Sequence, residues 1–194
     1  VRVHEVGQRA GLAAEDLTIT NCNPAHLEAV RAYLRAAGVS IETGKTKIRV
    51  KNEKGAPRNL KSFDVKTHEY PGFPTDLQAP MTVLLTQAEG NALVFETIFE
   101  GRFRYIDALL KMGATIEVCD PHRVIVSGPA LLRGRTLESP DLRAGLAYII
   151  AALVAEGESV IHNVYTIDRG YERIEERLQK IGADVKRIAT SPKA

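Results

Sequence analysis

The chain has 194 residues, 44% of them hydrophobic, and a formal net charge of +2. That length makes one ordinary domain or two small ones with a real apolar core. The near-neutral charge makes no demand for nucleic acid or an anionic membrane, and no stretch reaches the 18 apolar residues of a membrane span. The two cysteines, Cys22 and Cys119, fit no zinc spacing and are expected to be reduced thiols of a cytoplasmic protein.

Leu17–Thr20 reads as a strand, and Asn23 as the cap of a helix entered through Pro24. Leu27, Val30, Leu34 and Ala37 follow helical spacing up to Gly38, a natural left-handed stop. Ser40–Glu42 and Thr46–Val50 alternate as a hairpin, Asn52–Asn59 is a polar turn, and Phe63–Thr67 is a further strand. His68–Pro74 is a loop broken by Pro71, Gly72 and Pro74. Thr75 and Gln78 are spaced as a capping box for the next helix, whose first turn must tolerate Pro80. Ala92–Phe95 is strand-like, Arg102–Met112 is an amphipathic helix, and Thr115–Val118 with Arg123–Ser127 forms a second hairpin. Leu142–Val154 is apolar on nearly every face and therefore a buried helix. Val160–Val164 is a strand, and Gly170–Ile181 a helix with one polar face.

The chain repeats itself. Asp76-Leu77-Gln78-Ala79 through Ala88-Glu89-Gly90 aligns with Asp141-Leu142-Arg143-Ala144 through Ala155-Glu156-Gly157. Each copy continues into a strand, an arginine-bearing turn (Glu100-Gly101-Arg102; Ile167-Asp168-Arg169) and a helix closing at Gly113 or Gly182. A shortened copy opens the chain, with Ala13-Ala14-Glu15-Asp16 at the stop and Gly38 at the close. Stop and close are 22, 23 and 25 residues apart in the three copies. The expectation is an α/β domain of three units, about 1–67, 68–128 and 129–194. Sheets lie outside and helices between, and the first unit is truncated as though the chain began inside it.

Three arginines stand out. Arg143 falls in the first turn of the buried helix, and Arg102 and Arg169 are placed at the starts of their closing helices. A cation at an already positive helix end makes sense if an anion binds there, and arginine grips carboxylate or phosphate with two parallel bonds. The alternative pairs each with a neighbouring carboxylate: Glu100, Asp141 or Asp168. Asp76 follows the rigid lead-in Pro71-Gly72-Phe73-Pro74 and could accept a hydroxyl proton. Its counterpart Asp141 is expected simply to favour the helix dipole. His4, His26, His68, His122 and His162 have no partner at helical spacing, so metal binding is not expected. Lys45, Lys47, Lys51 and Lys54 read as a solvated face. Phosphate loops of the dinucleotide or P-loop type are absent.

The strings Tyr70-Pro-Gly-Phe-Pro-Thr-Asp-Leu-Gln-Ala79, Glu96-Thr-Ile-Phe-Glu-Gly-Arg-Phe103, Asp141-Leu-Arg-Ala144 and Ile167-Asp-Arg-Gly-Tyr-Glu-Arg-Ile174 closely resemble the UDP-N-acetylglucosamine 1-carboxyvinyltransferase family. These are the enolpyruvyl transferases that begin peptidoglycan synthesis. The likeness runs from about Leu17 to Ile188. It implies an inside-out α/β fold of repeated βαβαββ units with buried helices, two such domains per enzyme and an active site in the cleft between them. It implies transfer of enolpyruvyl from phosphoenolpyruvate to the 3'-hydroxyl of UDP-N-acetylglucosamine, with neither metal nor organic cofactor. Carried over by motif, Asp76 would bond the sugar hydroxyl and act as base, and Ile98 would touch the UDP-sugar through its backbone. Arg102 and Arg143 would hold the phosphoenolpyruvate carboxylate, and Arg169 would face the phosphate.

The sequence departs from the family at Gly101, where Asn is usual, and at Pro80, where Gln is usual. Val1 to about Glu15 match poorly. The family's reactive cysteine loop and Lys-Asn pair are not in this chain, so it is expected to fold alone but turn over nothing without a second domain. The competing readings are a non-catalytic module of the same fold that binds an anionic sugar nucleotide or RNA, and the shikimate-pathway enolpyruvyl transferase.

Overall fold

A computed structural model describes residues 2–3, 16–51 and 59–188. The expected polar turn at 52–58, the Ala13–Glu15 stop, His4 and Lys54 lie outside the described residues.

The first three-stranded sheet is antiparallel, ordered β2 (Asp16–Thr20), β4 (Lys47–Lys51), β3 (Ser40–Thr43). Asn23 caps the turn before α1 (Glu28–Ala36), its side chain accepting from the Ala25 amide at 3.1 Å, as its position next to Pro24 predicts. A four-stranded sheet follows in the order β5 (Val65–Lys66), β6 (Gly90–Phe95), β8 (Arg123–Gly128), β7 (Thr115–Asp120). The last sheet holds β9 (Thr136–Glu138), β10 (Ser159–His162) and β11 (Val185–Lys186). Its remaining strand is β1 (Arg2–Val3), antiparallel to both β10 and β11. β1, β9 and β11 are not anticipated by the sequence pattern, because two or three residues are too short to show a period.

Two helices, α2 (Gln78–Leu85) and α4 (Leu142–Val154), pack together in the interior. α4 has the bounds its apolar pattern predicts. Small residues let it approach its neighbours: Ala144, Ala147, Ala151 and Ala152 are buried, with Val83 and Leu85 of α2 in the same core. The closest approach is at Gly145, where an added Cβ would lie 2.4 Å from Ile167 Cγ1 and 2.6 Å from Ser139 Oγ. Ile167 belongs to the one-turn helix α5 (Tyr165–Asp168), which therefore sits directly on α4. Three helix ends recur in one conformation. Gly38, Gly113 and Gly182 follow α1, α3 (Ile106–Met112) and α6 (Ile174–Lys180) with φ of 90°, 104° and 93°, a region open to glycine and costly for residues with a Cβ.

Several expectations change. The helix expected at Arg102–Met112 is α3 alone, because residues 101–105 form turns. The one expected at Gly170–Ile181 begins only at Ile174, after Arg173 takes a left-handed φ of 47°. Neither Arg102 nor Arg169 therefore opens its helix. The strand at Phe63–Thr67 shrinks to Val65–Lys66, and Thr67 bridges instead to Phe73. The capping box is not formed. Thr75 begins a 3-10 turn, Thr75–Leu77, and gives its hydroxyl to Glu96, while Gln78 is buried against Tyr105.

Candidate active site

The loop before Asp76 is pinned by Phe73, which is buried. Its ring meets Tyr33 edge-on with centroids 5.1 Å apart, and the His68 amide donates to the Phe73 carbonyl at 2.9 Å. Pro74 then leads into the Thr75–Leu77 turn, which presents Asp76 with 57% of its side chain exposed.

Arg143 reaches Asp76 from α4. Its own amide, and that of Ala144, are taken by the Asp141 carboxylate at 2.8 and 3.0 Å, so Asp141 caps α4 from just before its first turn, a more specific role than the dipole partner expected of it. The Arg143 side chain is left to point away from Asp141, and its Nε donates to Asp76 Oδ1. Arg102 approaches the same oxygen from the 101–105 turn, with Nη1 at 4.0 Å. Its guanidinium lies over the Phe99 ring, 4.3 Å from the centroid, a contact that holds the cation flat. Asp76 thus sits between two guanidiniums brought from different elements.

None of the three arginines adopts the local pairing. Glu100 faces His122 at 3.6 Å, Asp141 caps α4, and Asp168 is gripped by Arg187 at 2.6 and 2.9 Å. Arg187 also holds Glu175 through two bonds, and its guanidinium keeps both carboxyls below the usual carboxylate range. Arg169 is exposed and makes no side-chain hydrogen bond or ion pair among the described residues. The structure does not join it to the Asp76 cluster, but its neighbour Gly170 packs toward Leu142, the first residue of α4. Ile98 is half-buried, and its amide donates to Glu96 Oε1 at 2.9 Å.

Four residues near the cluster escaped the sequence reading. Arg104 and Tyr105 line a narrow cavity of about 20 Å³ together with Thr75, Gln78, Arg102 and Arg143. The buried Gln78 Nε2 finds no protein acceptor there, and the space is about that of one water. Burial pushes the Tyr105 phenol up, and its hydroxyl bonds Thr82 and Gln78. The Tyr171 phenol is raised mainly by burial and further by Asp76, with Arg143 opposing, which places it in the field of the pair. Glu96 is the fourth. Among the described residues no group of three His, Cys, Asp or Glu side chains could hold a metal. No described helix is long and apolar enough to cross a membrane.

Outer sheets over shared helices, with one carboxylate set between two arginines, define the chain as an α/β domain with a charged cluster at its surface. Residues 8–178 match the family model described as EPSP synthase (3-phosphoshikimate 1-carboxyvinyltransferase), and the chain belongs to that family. It is 49% identical over 174 residues to the UDP-N-acetylglucosamine 1-carboxyvinyltransferase of Acidobacterium capsulatum, a match covering 89% of this chain and 39% of that protein. The enzyme of the same name from Koribacter versatilis is 48% identical over 177 residues, covering 91% and 40%. The chain thus spans about two fifths of the length of these curated relatives. Among solved structures, the enolpyruvyl transferase NikO from Streptomyces tendae superposes with a TM-score of 0.79 at 28% identity, covering 91% of this chain and 41% of that one. An EPSP synthase from Acinetobacter baumannii shares the fold, with a TM-score of 0.66 at 17% identity, covering 93% and 45%.

Proposed function

We propose that this chain supplies one wall of the active site of an enolpyruvyl transferase acting on UDP-N-acetylglucosamine, in the first committed step of peptidoglycan synthesis. In the reaction the sugar 3'-oxygen bonds to C2 of phosphoenolpyruvate, the C2–O bond to phosphate breaks, and the hydroxyl proton is removed. Asp76 accepts that proton. Arg102 and Arg143 hold the carboxylate, Arg169 meets the departing phosphate, and the Ile98 carbonyl contacts the UDP-sugar. Fixed cations around a developing anion give the electrostatic stabilisation such a transfer needs. The remainder of the site, including the family's reactive cysteine, comes from a second domain. The chain is one domain of three repeated units, about 1–67, 68–128 and 129–194, the first of them truncated.

The observation that carries this reading is the convergence of Arg102 and Arg143 on Asp76 from separate segments. It brings together three of the residues to which the motif assigns substrate, and the relatives named for UDP-N-acetylglucosamine support that sugar nucleotide over shikimate 3-phosphate. Saturation-transfer NMR on the chain tests it. UDP-N-acetylglucosamine should give transfer that Asp76→Asn and Arg143→Ala weaken and 150 mM salt leaves largely intact. Transfer to shikimate 3-phosphate instead would overturn the substrate assignment. A steep loss with salt would favour polyanion binding. Phosphate release from phosphoenolpyruvate by the purified chain would overturn the need for a second domain.

A further inference from the structure

Glu96 follows the last residue of β6 and is completely buried, with no cation at ion-pairing distance among the described residues. A buried carboxylate in that situation is costly unless its acceptor sites are filled. Here they are. Oε1 accepts from Thr67 Oγ1 at 3.0 Å, from the Ile98 amide at 2.9 Å and from the Phe99 amide at 3.2 Å. Oε2 accepts from Thr75 Oγ1 at 2.8 Å. Four donors therefore meet the two oxygens, three on Oε1 and one on Oε2.

The donors belong to three segments: the end of the β5 pairing at Thr67, the turn that begins at Thr75, and the Ile98–Phe99 turn that follows Glu96 itself. Thr75 immediately precedes Asp76. Phe99 carries the ring on which Arg102 lies. Thr67 ends the short parallel pairing with β6, and it is tied again to Thr97 by bonds of 2.9 and 2.6 Å. The backbone of Glu96 is fixed as well, its amide donating to the His122 carbonyl at 2.8 Å and its carbonyl 2.9 Å from His122 Nδ1. The carboxylate is therefore an anchored point from which two site-bearing segments hang.

We infer that Glu96 is a positioning residue. Its carboxylate sets the relation of Asp76 to Arg102 by holding Thr75 on one oxygen and the Ile98–Phe99 turn on the other. A single oxygen could not span both, and an apolar side chain would release both. The assignment of Asp76 and Arg102 to substrate rests on the function proposed above. The geometric claim stands apart from it.

The test uses the whole chain with Thr75→Val, Glu96→Gln and Glu96→Ala. The readouts are the thermal midpoint, the Arg143 Nε–Hε resonance (assigned by its loss in Arg143→Lys) and affinity for UDP-N-acetylglucosamine. Thr75→Val removes one of the four bonds and nearly preserves shape. It should leave the chain folded, move the Arg143 resonance toward that of an exposed arginine, and weaken sugar-nucleotide binding about tenfold or more, as ångström-scale misplacement does. Glu96→Gln keeps one oxygen for three donors and can donate its amide to Thr75 Oγ1. It should restore the resonance and most of the affinity that Glu96→Ala loses. A folded Thr75→Val chain whose Arg143 resonance stays in place overturns the inference. If the resonance moves but the unmodified chain binds no UDP-N-acetylglucosamine, the positioning role stands and the functional reading falls.

Discussion

Gly145→Ala puts a methyl group where α4 and α5 touch. The new Cβ would lie 2.4 Å from Ile167 Cγ1, 2.7 Å from Ile167 Cδ1 and 2.6 Å from Ser139 Oγ. The first of these is roughly 1 Å inside ordinary carbon contact. Ile167 is 1% exposed and backed by core, so it cannot swing aside. Two effects oppose. Removing a glycine from mid-helix gains about 1 kcal/mol, while overpacking a tight core costs about 1–3 kcal/mol. The net expectation is a loss near 1 kcal/mol, or about 2–4 °C in the thermal midpoint for a domain of this size. Circular dichroism melts of Gly145→Ala, Ile167→Val and the double variant measure it. Ile167→Val removes Cδ1, so it should cost less in the Gly145→Ala background, by up to about 1 kcal/mol of coupling. A rise in midpoint for Gly145→Ala would mean that propensity alone governs the site. Strict additivity would mean that the two residues do not touch. Either result refutes the packing argument.

Asp141→Ala should cost about 1 kcal/mol in denaturant unfolding by removing the α4 cap, and Asp141→Asn should keep most of it. Tyr105→Phe should cost about 1–2 kcal/mol, because the buried Gln78 and Thr82 lose a partner, with little change in the cooperativity of the melt. The Arg187 bonds lower the Asp168 and Glu175 carboxyls. Their contribution is therefore complete above the ordinary carboxylate range and is lost as pH falls through the lowered values. Melts from pH 2 to 7 should show Arg187→Gln destabilised by about 1 kcal/mol near neutrality, the partly exposed pairs being screened, and the gap closing in acid. A gap that persists at pH 2 would assign the loss to packing.

Much of the architecture could be read from periodicity. Leu142–Val154 is apolar all round, and that pattern alone marks both ends of α4. The hairpins were legible from alternation. The errors fall where tertiary contact decides. Tyr171, Glu172 and Arg173 look helical in composition, yet Gly170 must lie against Leu142, and the chain turns through a left-handed Arg173 before α6 can start. Arg102 has Glu100 two residues away, but Glu100 faces His122 and the guanidinium finds Asp76 across the fold. Glu96 enters the sequence reading only as the first residue of a string that resembles the family. Its threonine partners lie 29 and 21 residues away, and no local pattern announces such a knot.

Asp76 also has a consequence for how its variants behave. Between Arg102 and Arg143 it is the counter-ion the protein carries for itself. Neutralising it removes more than a proton acceptor, because two guanidiniums then face solvent with one negative charge fewer between them. Asp76→Asn should therefore bind sulfate, phosphate and buffer carboxylates more tightly, and its apparent affinities should vary with the buffer salt more than those of the unmodified chain. A carboxylate assigned to chemistry thus also sets how strongly its two arginines draw other anions.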